Sequence, residues 1–138
     1  MLNGKKVLCM GWKPEEGFLW YYWDSYSEAM ILYALAIGSP THPISSECWF
    51  EWKRPVDSYK DYKAIYCATG SIFTYQYSHA WIDFRELYEG ETNYFNNSVN
   101  AVKANRQFCI DNSGAYKTYD ENSWGLSACL GPGGYRGY

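Results

Sequence analysis

The chain has 138 residues, 47% of them apolar, enough for one packed domain. A formal net charge of −3 without any basic run excludes the counterion-release binding on which nucleic-acid affinity depends. The longest apolar segment, 29–37, is far short of the roughly 20 residues that cross a bilayer, so no membrane insertion is expected.

In chain order, residues 1–23 read as irregular, punctuated by Gly4, Gly11, Pro14 and Gly17. Lysines occur there without a sustained apolar run or a small-residue cleavage site, so no signal peptide is visible. DSYSEAMILYALAIG then predicts a helix capped by Asp24 or Ser25, with Glu28 in its first turn, ended by Gly38 and Pro40. Ala29 to Ile37 leave this helix no polar face, which predicts burial on all sides. SPTHPISSECWFEWKRP reads as loop. YKAIYC and SIFTYQY, either side of ATG, predict a short β-hairpin between Tyr59 and Tyr77.

From Ser78 the pattern turns helical, with Ala80, Phe84 and Leu87 or Tyr88 on one face. A second long helix is predicted over ETNYFNNSVNAVKANRQFCID. Phe95, Val99, Val102, Arg106 and Ile110 recur at helical spacing there, with Asn97, Asn100 and Lys103 on the polar face. Ser123–Cys129 predicts a helical turn or two, and the Gly- and Pro-rich GPGGYRGY predicts loop.

The aromatic content is high: 7 Trp, 15 Tyr and 6 Phe form 20% of the chain, and the flat apolar bodies and polar tips of Tyr and Trp suit a sticky or sugar-lined surface as well as a core. Five cysteines stand far apart, with no CxxC and no neighbouring histidine pair; buried free thiols are expected, and neither a metal site nor a cofactor.

Two clusters carry chemistry. On a helix, Asp24 and Glu28 would share a face with Cβ atoms about 5–6 Å apart, close enough for repulsion to raise one carboxyl toward a general acid's range. An acidic helix cap explains the same pair, but Trp20, Tyr21, Tyr22, Trp23 and Tyr26 crowd the segment as saccharide stacking demands. In SHAWIDFR, His79 and Asp83 stand at i, i+4, so the carboxylate can fix the imidazole tautomer, or Arg85 can hold Asp83; Trp81 is a stacking platform. An internal ion pair in an aromatic core is the competing reading. His42, between Pro40 and Pro43, reads as a loop histidine, and Glu121 is explained by capping.

Four blocks together carry a resemblance: W-D-x-Y-S-E-A-M-I-L-Y-x-L-A-x-G-S-P-T-H-P (23–43), T-x-Q-Y-S-H-A-W-I-D-F-R (74–85), A-N-R-Q-F-C-I-D-N (104–112) and E-N-S-W-G-L-x-A-C-x-G-P-G-G-Y-R-G-Y (121–138). In this order they resemble the bacterial glycoamylase-like family, which includes endo-β-1,2-glucanases and a domain of cyclic β-1,2-glucan synthases.

The resemblance implies a mainly α fold, a fragment of an (α/α)6 toroid with room for the short hairpin. Residues 1–138 would form a partial catalytic domain, shorter than the family's. It implies a glycan substrate, a periplasmic or secreted setting, and inverting hydrolysis of a β-glucan, β-1,2-linked by the family's habit. Glu28 is the leading acid–base candidate, Asp24 its electrostatic neighbour or the base, and Asp83 and Glu121 are weaker candidates. Trp23, His42, Tyr77, His79, Trp81, Arg85, Trp124, Tyr135 and Arg136 are expected to line subsites. Tyr75 stands where relatives commonly carry histidine. The alternatives are a non-hydrolytic glycan-binding domain of a cyclic glucan synthase and a helical interaction module.

Overall fold

The computed structural model describes residues 2–137, whose contacts divide the chain into two compact units, Met1–Arg54 and Pro55–Tyr138. Helix makes up only 27% and strand 20%, the strands forming several small antiparallel sheets. This corrects the expected mainly α fold and its (α/α)6 toroid fragment. Ribbons form where Gly- and Pro-rich runs promised only loop, because those residues supply the turns that let short strands double back.

In the first unit, β1 (Trp12–Lys13) pairs with β2 (Gly17–Phe18), and Cys9 bridges Tyr22 across the same ribbon, so residues 9–22 form a ribbon where irregular chain was expected. Gly17 closes the turn at φ +76, a left-handed conformation that L side chains rarely adopt. Helix α1 spans Met30–Ile37 and ends at Gly38 as expected, but starts well after Asp24. The reason is tertiary. Ser25 pairs in parallel with Lys53, the Asp24 carbonyl accepts from the Lys53 amide at 2.8 Å, and the Tyr26 amide donates to the Lys53 carbonyl at 2.9 Å. That backbone is committed and cannot also enter a helix. Nor is α1 buried all round: Met30 and Tyr33 are buried, while Leu35 is 66% exposed.

A second short helix, α2 (Cys48–Glu51), lies within the segment expected to be loop. The core of this unit is aromatic. Trp52 meets Tyr26, Tyr33 and the edge of Trp49 at centroid distances of 6.2, 6.4 and 5.4 Å. Arg54 lies 3.6 Å over the Trp52 ring and donates 2.7 Å bonds to the carbonyls of Trp49 and Trp52, which the end of α2 leaves without helical donors.

In the second unit, β3 (Val56–Tyr59) and β4 (Tyr62–Ile65) pair through a tight turn with Lys60 at φ +54. YKAIYC thus supplies the second strand of the hairpin, and SIFTYQY forms a 3-10 turn at Ile72–Tyr75 instead of its partner. The helix expected from Ser78 is reduced to a 3-10 turn at Ser78–Ala80, followed by the ribbon of β5 (Tyr88–Glu89) and β6 (Thr92–Asn93).

Helix α3 (Tyr94–Asp111) matches the long predicted helix, and the Asn93 side chain caps it by accepting from the Asn96 amide at 2.8 Å. Its buried face differs from the predicted one. Tyr94, Asn97, Ser98, Ala101 and Cys109 are buried, whereas Phe95 is 38% exposed. Asn97 is no surface residue: its Oδ1 accepts from the Ile65 amide at 2.6 Å and its Nδ2 donates to the Ile65 carbonyl at 3.2 Å. One amide side chain thus fits both backbone groups of a β4 residue, which apolar periodicity does not register.

The C-terminal segment forms β7 (Ala128–Gly131) and β8 (Gly134–Gly137), where a helical turn and a loop were expected. Cys9, Cys48, Cys67 and Cys109 are buried free thiols, and Cys129 is exposed on β7.

Candidate functional site

The structure gathers some of the predicted residues around two hollows, one in each unit. In the first, Asp24 lies in extended chain immediately after Trp23, whose amide donates to the Leu8 carbonyl at 2.8 Å and whose carbonyl accepts from the Tyr33 hydroxyl at 2.8 Å. Lys53 Nζ stands 3.2 Å from Asp24 Oδ2, with both groups largely exposed. Asp24 borders a hollow of about 700 Å3 together with Trp20, Tyr21, Tyr22 and Glu51. The Trp20 and Tyr21 rings lie 3.9 Å apart, and Trp20 is 75% exposed, a flat apolar surface beside a carboxylate. Lys5 Nζ sits 3.9 Å over the Tyr22 ring, and Lys6 bridges Glu47 and Glu51 at 2.9 and 3.4 Å.

Glu28 is half-buried in the turn before α1 and does not share a helical face with Asp24, so the expected i, i+4 pair is not formed. His42 is exposed in a local turn, its amide donating to Ser39 Oγ and its Nδ1 lying 3.1 Å from Thr41 Oγ1.

In the second unit, His79, Trp81, Asp83 and Arg85 come together around a hollow of about 380 Å3 walled by Phe84 and Phe95. The His79–Asp83 hydrogen bond is replaced by two separate pairings, because only the first residues of SHAWIDFR are helical and the turn there is of the tighter 3-10 kind. His79 Nε2 lies 2.9 Å from the buried Ser98 Oγ, with its ring 4.7 Å from Phe84 and 6.3 Å from Phe95. Burial pushes the imidazole below its ordinary pKa, so the neutral form is favoured.

Asp83 is held by Arg85 through a fork, Nε–Oδ1 at 2.9 Å and Nη2–Oδ2 at 2.7 Å, with the Arg85 amide adding a third bond. The Arg85 side chain first, then its backbone amide, lower the Asp83 carboxyl to about 2. So held, Asp83 carries no proton to donate near neutrality. It can serve as a charge or a base, not as a general acid.

The remaining predicted residues lie on other elements of the second unit. Tyr77 is 53% exposed beside the Ser78–Ala80 turn. Glu121 and Trp124 belong to the segment between α3 and β7, where Arg106 donates to the Glu121 carbonyl at 2.9 Å. Tyr135 and Arg136 lie on β8, and Arg136 Nη2 donates to the Gly133 carbonyl at 2.7 Å. Tyr75, the departure from the family pattern, is buried and accepts from the Cys67 amide at 2.8 Å, a polar contact of its own.

Sequence reasoning missed Ser98, Phe95, Lys53 and Glu51. Phe95 and Ser98 are three apart on α3 and face the histidine together, a signal visible only once His79 is known to pack on that helix.

Residues 20–138 match the Glycoamylase family model, described as "Putative glucoamylase", and the chain belongs to that family. It is 27% identical over 143 residues to an exo β-1,2-glucooligosaccharide sophorohydrolase (non-reducing end) of Parabacteroides distasonis, spanning 85% of this chain and 20% of that protein. Its structure is similar to an endo-β-1,2-glucanase from Chitinophaga pinensis solved with sophorotriose and glucose, at 30% identity and a TM-score of 0.86, covering 99% of this chain and 36% of the other. A β-1,2-glucanase from Parabacteroides distasonis is similar at 25% identity and a TM-score of 0.84, covering 97% of this chain and 23% of that one.

Proposed function

We propose that the chain is part of a glycoside hydrolase that acts on a β-glucan, of β-1,2 linkage, by inverting acid–base hydrolysis outside the cytoplasm. The observation that carries this reading is the exposed Trp20–Tyr21 platform bordering the same hollow as the Asp24 carboxylate, in a family whose relatives cleave β-1,2-glucans. Stacking on the indole and phenol faces holds pyranose rings, and the carboxylates act on the bond between them. Glu28, at the entrance to α1, is assigned as the acid–base group, with Asp24 as the base or an electrostatic neighbour. Inversion requires about 6.5–9.5 Å between the two working carboxyls, room for the attacking water. Asp83, kept ionised by Arg85, and Glu121 are secondary candidates. Trp23, His42, Tyr77, His79, Trp81, Arg85, Trp124, Tyr135 and Arg136 are assigned to substrate contact.

The test is incubation with linear β-1,2-glucan, reading new reducing ends and the anomer first formed. Release of the inverted anomer is expected. Glu28→Gln should lower kcat about 100- to 10,000-fold while leaving substrate affinity nearly intact. Glucan affinity without cleavage, in the unmutated protein, would favour a glycan-handling domain instead. Neither affinity nor cleavage would leave an interaction module.

A further inference from the structure

A cavity of about 430 Å3 opens in the second unit between the β3–β4 ribbon, the 3-10 turn at Ile72–Tyr75 and α3, within the size range of small-molecule sites. None of the residues assigned above to hydrolysis or substrate contact lines it. The void exists because Ala101 and Ala104 present only methyl groups where α3 passes behind the ribbon, while Tyr59, Tyr62, Tyr66 and Phe108 stand around it.

The cavity continues into a row of rings. Tyr59 meets Phe108 edge-on at 5.7 Å, Phe108 meets Tyr119 at 6.5 Å, and Tyr119 stacks on Tyr116 at 4.7 Å and 29°. Tyr116, at the outer end, is 51% exposed. The row is fixed in place, since Tyr59 donates to Asp111 Oδ2 at 3.0 Å and the same carboxylate is held by Lys60 at 3.0 Å and Gln107 at 2.9 Å. The Tyr62 and Tyr66 hydroxyls, by contrast, have no protein hydrogen-bond partner among the described residues.

The inclined rings and their phenol hydroxyls offer side by side the apolar and polar contacts that the C–H faces and hydroxyl rims of pyranose units require. An acyl chain offers the Tyr62 and Tyr66 hydroxyls no hydrogen-bond partner, whereas the hydroxyls of a glucan do. A nucleic acid would need cations, whereas no Lys or Arg among the described residues lines the cavity, and Lys60 beside it is paired with Asp111.

We infer that the cavity and the Tyr59–Phe108–Tyr119–Tyr116 row form a second glucan-binding site, separate from the acid–base residues, that grips consecutive pyranose rings of one chain. The inference rests on the glucan reading above.

Its test is titration of the 15N-labelled protein with sophorotriose, followed by amide shifts. Shifts are expected at Tyr59, Tyr62, Phe108 and Tyr119. Tyr116→Ala, at an exposed position where folding is not at risk, should weaken this binding about three- to tenfold. Ala104→Phe, which fills the cavity, should abolish the Tyr62 shift. Shifts confined to Trp20–Tyr22 or to 79–85 would overturn the second site and leave the glucan reading intact. No shift anywhere would overturn the second site and count against the glucan reading as well. Decanoate shifting these residues while sophorotriose does not would also overturn it, in favour of an apolar ligand.

Discussion

Replacing Tyr33 by Phe removes one oxygen atom and tests how the aromatic segment before Asp24 is held. The hydroxyl donates to the Trp23 carbonyl at 2.8 Å and accepts from the Leu8 amide at 3.1 Å, tying α1 to two other parts of its unit. Leu8 is 0% exposed and Tyr33 2%, so water cannot replace the hydroxyl at the Leu8 amide. An orphaned buried donor costs about 1–3 kcal/mol, and the lost bond to the half-buried Trp23 carbonyl about 1 kcal/mol more, giving about 2–4 kcal/mol in all. Urea unfolding should show that loss, and exchange of the Leu8 amide should quicken about 30-fold or more.

The pH profile provides a second reading. Burial raises the Tyr33 phenol above its ordinary 10.0, so its stability contribution is fully present below pH 10.0 and is lost as pH rises from there through the folded value. The Phe variant should lack that alkaline loss. A change below about 0.5 kcal/mol with unaltered Leu8 exchange would refute the reasoning, since it would mean that the two bonds are not made or are replaced at no cost.

Asn97→Leu strips both partners from Ile65 and should cost the second unit about 2–4 kcal/mol, read by urea unfolding and by loss of Ile65 amide protection. His79 should titrate below 6.5 by proton NMR. Because its folded value is lowered, stability is complete above pH 6.5 and falls as pH drops from there through the folded value, a slope that His79→Gln should flatten. Arg85→Gln should move the Asp83 carboxyl from about 2 toward 3.8 by carbon NMR, with little effect on unfolding because the pair is exposed.

What could be read without coordinates was written in local runs. The span of α3 follows from its apolar recurrence, and the end of α1 follows from Gly38. Family membership was legible for the same reason, as four contiguous blocks that the match over 20–138 bears out. The aromatic crowding before Asp24 was visible too, and the structure places those rings beside that carboxylate.

What only the tertiary structure decided are pairings between residues distant in the chain. Asp24 and Glu28 would have shared a helical face had Lys53 not claimed the backbone of residues 24–26. His79 would have faced Asp83 had the turn been α-helical; it meets Ser98, 19 residues away, and Arg85 takes the carboxylate. Asn97 looked like a surface residue until Ile65, 32 residues away, occupied both ends of its amide. Propensity and periodicity act over a turn or two, whereas a buried backbone group must find a partner wherever the folded chain brings one. That obligation set the start of α1, the face of α3 and the partners of the site.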